Sequence, residues 1–197
     1  TRLVRRGCEQ AMVVADLPFM TYATPEIAMH SAARLMKEGG AHMVKLEGGA
    51  LMVETVGALA ERGVPVCAHL GLLPQSVHKL GGYRVQGRDT ETAETMLADA
   101  LAMEQAGADL LVLECVPRQL ARRISEALSI PVIGIGAGPD TDGQVLVLYD
   151  MLGITPGKRP SFSHDFLADT GSVAAAIVAY VQQVRAGTFP DDEHSFN

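Results

Sequence analysis

Six short apolar runs punctuate the chain, at residues 11–16, 42–47, 64–71, 108–115, 130–138 and 144–150, and segments of helical pattern lie between most of them. This alternation is the strongest constraint on the fold. Runs that are apolar on both faces and separated by helices predict a parallel sheet covered by helices. Thr24-Pro25 reads as an N-cap followed by a first-turn proline, opening a helix that ends at Gly39-Gly40. Further helices are predicted over 49–62, over 89–106 with Gly107 as the stop, and over 117–128. No linker or low-complexity stretch divides the chain, so residues 1–197 read as a single (β/α) domain ending in a C-terminal helix and tail, 166–197.

The strand ends choose between an open doubly wound sheet and a barrel. Asp16 closes the first run, Glu47 the second and Glu114 the fourth, while His69 nearly closes the third. A barrel gathers all such ends at one mouth, whereas an open sheet shares a site only between strands beside its switch point. The (β/α)8 barrel is therefore the expected fold. The glycine run 134–138 lacks the G-x-G-x-x-G spacing of a dinucleotide loop and reads as a tight strand-to-helix turn.

The segment "MVKLEGGALM" (43–52) places Lys45 and Glu47 two positions apart, hence on one face of a strand. Buried ion pairs seldom repay their desolvation, so charges in this position point to a site. Asp16 and Glu114 are followed by residues that do not begin a helix at once, which weakens a capping role for either; Asp150 is read as an N-cap. The remaining histidines, His30, His42, His78, His164 and His194, read as surface or supporting residues. Carboxylates on adjacent strands without a histidine or cysteine ligand cluster suit a hard cation such as Mg²⁺. A neighbouring lysine can neutralise a substrate carboxylate or an enolate, which leaves another glutamate free to act as general base. From residue types alone the reading is metal-assisted enolate chemistry on a small-molecule substrate.

Charge and composition exclude other classes. A net charge of −7 without a basic block argues against nucleic-acid binding. No apolar stretch reaches membrane-span length, and "TRLVRRGCEQ" lacks the apolar core of a signal peptide. Three cysteines (Cys8, Cys67, Cys115) without ligand spacing predict buried, reduced thiols and a cytoplasmic location.

"VVADLPFM", "VKLEGG", "VCAHLGLLPQS", "GGYRVQGR", "LLVLECVP", "IPVIGIGAG", "DGQVLVLYDMLGI" and "AGTFPDDEHSF" together resemble the ketopantoate hydroxymethyltransferase family, in order and spacing, from about residue 11 onward. The resemblance implies a (β/α)8 barrel of the phosphoenolpyruvate/pyruvate type. It also implies transfer of a hydroxymethyl group from 5,10-methylenetetrahydrofolate to 3-methyl-2-oxobutanoate, giving 2-dehydropantoate on the route to pantothenate. On this likeness Asp16 binds Mg²⁺ (or another divalent cation) and the oxo acid, and Glu47 is a metal-site carboxylate. Lys45 contacts the oxo acid, Glu114 accepts the proton and His69 lies near the reacting carbon. A homo-oligomer, a ring-like decamer, is implied as well.

The family's first two strands, with a Gly-Asp-Ser loop that adds a metal-binding aspartate and a substrate-binding serine, have no counterpart in the sequence. The visible strands thus correspond to strands three to eight. A barrel needs eight strands and about 250 residues, so two upstream βα units are expected, without which the 197 residues should neither fold stably nor turn over substrate. The alternatives are a C–C lyase of the same superfamily acting on a 2-oxo acid and a non-catalytic small-molecule binding domain. The lysine-lysine-cysteine-glycine-histidine loop of the isocitrate lyase branch is absent. Folate dependence separates the transferase from the lyase, and Mg²⁺-dependent proton exchange at C3 separates either from a binding domain.

Overall fold

A computed structural model describes residues 1–79 and 81–197 in full. In chain order the strands are β1 (Val14–Asp16), β2 (Met43–Glu47), β3 (Val66–Gly71), β4 (Leu110–Glu114), β5 (Val132–Ile135) and β6 (Gly143–Gln144). The helices are α1 (Arg2–Arg6), α2 (Pro25–Ala33), α3 (Val53–Ala60), α4 (Val77–Leu80), α5 (Thr90–Gln105), α6 (Arg118–Ala127), α7 (Leu148–Met151), α8 (Phe166–Thr170) and α9 (Val173–Ala186). All neighbouring strands pair in parallel, and their order in the sheet is their order in the chain. A doubly wound sheet reverses that order at a switch point; here there is none, and the sheet curls into a half-barrel.

Local chemistry sets the helix ends. The Thr24 side chain accepts a bond from the Ile27 N–H, and Pro25 occupies the first turn. Asp89 caps α5 through the Thr92 N–H. After α2 the chain widens into a π-helical turn over Arg34–Glu38 before Gly39 and Gly40 end it. Helices α2, α3, α5 and α6 touch one another in succession and cover one face of the sheet. Val44, Leu46, Val66, Ala68, Leu111, Leu113 and Val132 on that face are fully excluded from solvent. Burying a side chain of leucine size contributes about 1.5–3 kcal/mol, so this layer dominates stability. A second apolar cluster joins Met151 and Leu152 to Phe166, Ala176 and Phe189, tying α7 to the C-terminal helices.

Three expectations fail between 134 and 151. The sixth strand, expected over 144–150, is only Gly143–Gln144; Val147 precedes the short helix α7 instead. Asp150 therefore lies inside a helix, where the Thr155 hydroxyl donates to its buried carboxylate, and caps nothing. The glycine run likewise does not lead into a helix. Gly136 and Gly138 adopt positive φ and carry the chain directly into β6. Apolar periodicity cannot separate a short strand from a short buried helix, which is why the run misleads. Of the thiols, Cys67 and Cys115 are buried as expected, whereas Cys8 is only half-buried.

Strands β1 and β6 form the open edges of the sheet. Apolar side chains near both are exposed, among them Met12 and Val14 beside one edge and Val145, Val147 and Tyr149 beyond the other. Among the described residues, no helix is long and apolar enough to cross a membrane.

Candidate active site

The five residues singled out from the sequence meet at the C-terminal ends of the strands, on the sheet face opposite the helices. Asp16 is registered with Lys45, and Glu47 with His69. Side chains two apart share a face, so Lys45, Glu47, His69 and Glu114 all project to the same side. Following the ladder from Asp16 leads through Lys45 and Cys67 to Leu110, four residues before Glu114. The site therefore climbs the ladder from β1 to β4, and the stagger of tilted barrel strands brings such a series to one rim.

Lys45 is the hub. Its Nζ stands 2.9 Å from Asp16 Oδ1, 3.9 Å from Glu47 Oε1 and 3.2 Å from His69 Nδ1. An ammonium has only donors, so the facing Nδ1 must be bare and the His69 proton must sit on Nε2. Nε2 lies 3.3 Å from Glu114 Oε2 but is not aligned for a hydrogen bond, and it is a buried donor without a partner. The side chains of Glu47 and His69 are 5% and 3% exposed, whereas that of Asp16 is 60% exposed. The cluster is thus open on the β1 side and closed around His69.

The backbone shapes the site as well. Gly71 is registered with Glu114 at φ +91°, and a Cβ there would strike the Glu114 carbonyl. Immediately after Glu114 the chain turns through Cys115 at φ +49°, a left-handed conformation unusual for a residue with a side chain. Bonds from the Cys115 N–H to the Ile135 carbonyl and from the Gln86 N–H to the Cys115 carbonyl hold that turn. Leu72, Cys115, Ile135 and Phe162 form a small apolar cluster beside the base candidate. Burial pushes the thiols of Cys67 and Cys115 up to about 12, so neither is a ready nucleophile.

Two contributors escaped the sequence reading. The Gln75 N–H donates to Glu47 Oε2 at 3.0 Å, and its side chain bonds the Leu17 carbonyl and the Tyr22 hydroxyl. Burial, followed by the charge of Glu47, raises the Tyr22 pKa. The only signal was the segment "LPQS" directly after the third strand; nothing local ties it to Glu47. The other histidines lie outside the cluster: His42 Nδ1 accepts from the Val13 N–H, His164 pairs with Asp169 and His194 with Asp191.

Asp16 and Glu47 are the side chains that could hold a hard cation. Asp16 and Glu47 converge on one cationic group, and the cluster holds three carboxylates against one ammonium, an excess of negative charge. No group of three or more metal-ligating side chains occurs among the described residues.

The chain is similar to known proteins over its whole length. Residues 1–192 match the family described as ketopantoate hydroxymethyltransferase. The 3-methyl-2-oxobutanoate hydroxymethyltransferase of Alkalilimnicola ehrlichii is 63% identical, over 100% of this chain and 71% of that protein. That of Erwinia tasmaniensis is 62% identical, over 100% of this chain and 74% of its own. Among solved structures, a putative lyase/mutase from Burkholderia cenocepacia J2315 aligns at 21% identity and a TM-score of 0.48, over 94% of this chain and 63% of that one. On the match of residues 1–192 and these identities, the chain belongs to the ketopantoate hydroxymethyltransferase family.

Proposed function

We propose that the chain transfers a hydroxymethyl group from 5,10-methylenetetrahydrofolate to 3-methyl-2-oxobutanoate, giving 2-dehydropantoate. The observation that carries this is the continuous contact series from Asp16 through Lys45 and His69 to Glu114, in a chain 63% identical to a protein of that name. Lys45 binds the oxo-acid carboxylate as a compact cation, taking up a charge it now shares with Asp16 and Glu47. Glu114 accepts the C3 proton; its Oε2 faces His69, which leaves the other oxygen for the substrate. His69 rests against Lys45 through Nδ1 and lines the site beside the Glu114 carboxylate, 3.3 Å from its Oε2. Asp16 and Glu47 would hold Mg²⁺ or another divalent cation. When bound, such a cation supplies charge neutralisation for the oxygens of the oxo acid.

The same reading closes the half-barrel with two further βα units into an eight-stranded barrel. Its support is the pair of open strand edges and the apolar side chains exposed beside them. Assembly as a homo-oligomer, a decameric ring, is favoured by the exposed Val173, Ile177, Val178 and Val181 of α9, and a cytoplasmic setting by the unpaired cysteines.

The deciding experiment incubates the protein with Mg²⁺ and 3-methyl-2-oxobutanoate in D₂O, then adds 5,10-methylenetetrahydrofolate. Deuterium exchange at C3 followed by folate-dependent product is the expected result. Cleavage of a C–C bond without folate would replace the transferase with a lyase, and binding without exchange would leave a binding domain.

A further inference from the structure

We infer that Gln75, braced by Tyr22, is a positioning residue that sets the spacing of the Asp16 and Glu47 carboxylates. The inference rests on the reading of those two groups as the cation site, and it adds a residue pair that touches neither cation nor substrate.

Gln75 joins the two strand ends physically. Its backbone N–H gives the Glu47 carboxylate, through Oε2, its one hydrogen bond among the described residues. Its side-chain Nε2 donates to the carbonyl of Leu17, the residue after Asp16, at 3.0 Å. Leu17 is completely buried, and its own N–H donates to the Lys45 carbonyl. The Gln75 Oε1 accepts from the Tyr22 hydroxyl at 2.9 Å, and Tyr22 is buried in the core beneath the helices. One side chain therefore fixes the loop after β1, and the same residue's main chain fixes the carboxylate at the end of β2.

A substitution at Gln75 leaves the N–H in place but frees the loop that aims it. The carboxylate then loses alignment, not charge. Asp16, more than half exposed and bonded to Lys45 alone among the described residues, loses the anchored loop beside it. A purely structural role would lower stability without regard to Glu47. A positioning role must act in part through Glu47.

The test is calorimetric titration with Mg²⁺ alone on the whole protein, comparing wild type, Gln75→Met, Tyr22→Phe, Glu47→Gln and the two doubles with Glu47→Gln. Losing one buried hydrogen bond should weaken Mg²⁺ binding by about three- to tenfold in either single variant. In the Glu47→Gln background the same changes should cost less than in the wild type, because one of the two carboxylates they position is gone. In turnover, excess Mg²⁺ should restore kcat to within about twofold, the pattern of a binding defect. Tyr22→Phe keeps the aromatic packing and carries the test should Gln75→Met fold poorly. Wild-type Mg²⁺ affinity in both singles, or losses that multiply with Glu47→Gln, would overturn the positioning role alone. Absence of Mg²⁺ binding in the wild type would overturn the cation site and this inference with it.

Discussion

The two faces of the sheet are built from the same strands and obey opposite rules. Beneath the helices, Val44, Leu46, Ala68, Leu111 and Leu113 are sealed from water and carry no polar atom. On the other face, displaced by one residue along the same strands, stand Asp16, Lys45, Glu47, His69 and Glu114, charged or titratable and mostly buried. The alternation of side chains along a strand separates stability from chemistry within single elements. Desolvated charge on the open face costs stability that the helix-covered face must supply.

Substitutions on either face should therefore fail in different currencies. The largest effect is expected at the proton acceptor. Glu114→Gln keeps shape and hydrogen-bonding atoms but removes the base, so C3 exchange should fall about 10³-fold. Oxo-acid binding should persist, and the denaturation midpoint should hold or rise, because one of three clustered carboxylates is gone. Exchange near the wild-type rate would move the base elsewhere, with His69 next. Leu111→Ala probes the other face: at a fully buried position it should cost about 3 kcal/mol in chemical denaturation. Exchange per folded molecule should not change, and a selective loss of exchange would show that the faces are not independent.

Lys45 sharpens the comparison because it is the only cation in the cluster. Lys45→Ala should weaken oxo-acid affinity about ten- to hundredfold, the worth of a charge-assisted hydrogen bond. Lys45→Arg should recover little of this, since a planar fork cannot replace a compact ammonium set between Asp16, Glu47 and His69. Unchanged affinity in Lys45→Ala by calorimetry would remove the lysine from the substrate site.

Strands β1 to β5 and the rim of ionisable groups were legible because each is a local pattern: an apolar run and the residue that ends it. Lys45 and Glu47 were readable from spacing alone. The region after Ile135 was not, because two paired residues, Gly143 and Gln144, leave no periodic signature. The following apolar residues then alternate as readily in a strand as they cover a short helix. Gln75 was invisible for a different reason. Its partners Glu47, Tyr22 and Leu17 lie 28, 53 and 58 residues away, and only the sheet brings them together. Asp150 misled because a carboxylate beside a helix resembles a cap until the helix boundary is known.

The smallest expected effect concerns the neutral member of the charged face. Cys67 stands between Lys45 and Leu110 in the ladder, close enough to the ammonium for its charge to favour a thiolate. Burial outweighs that attraction and pushes the thiol from 9.0 up to about 12. Folding thus favours the protonated thiol. Its contribution to stability is complete below about pH 9 and is lost as pH climbs through 12. At pH 8 iodoacetamide should modify the half-buried Cys8 and spare Cys67 and Cys115, while denaturant should expose all three. Mass spectrometry of the alkylated peptides reads the result. Rapid modification of Cys67 in the folded protein would mean that Lys45 governs its neighbour after all, and that this face holds a nucleophile where the packing places an inert side chain.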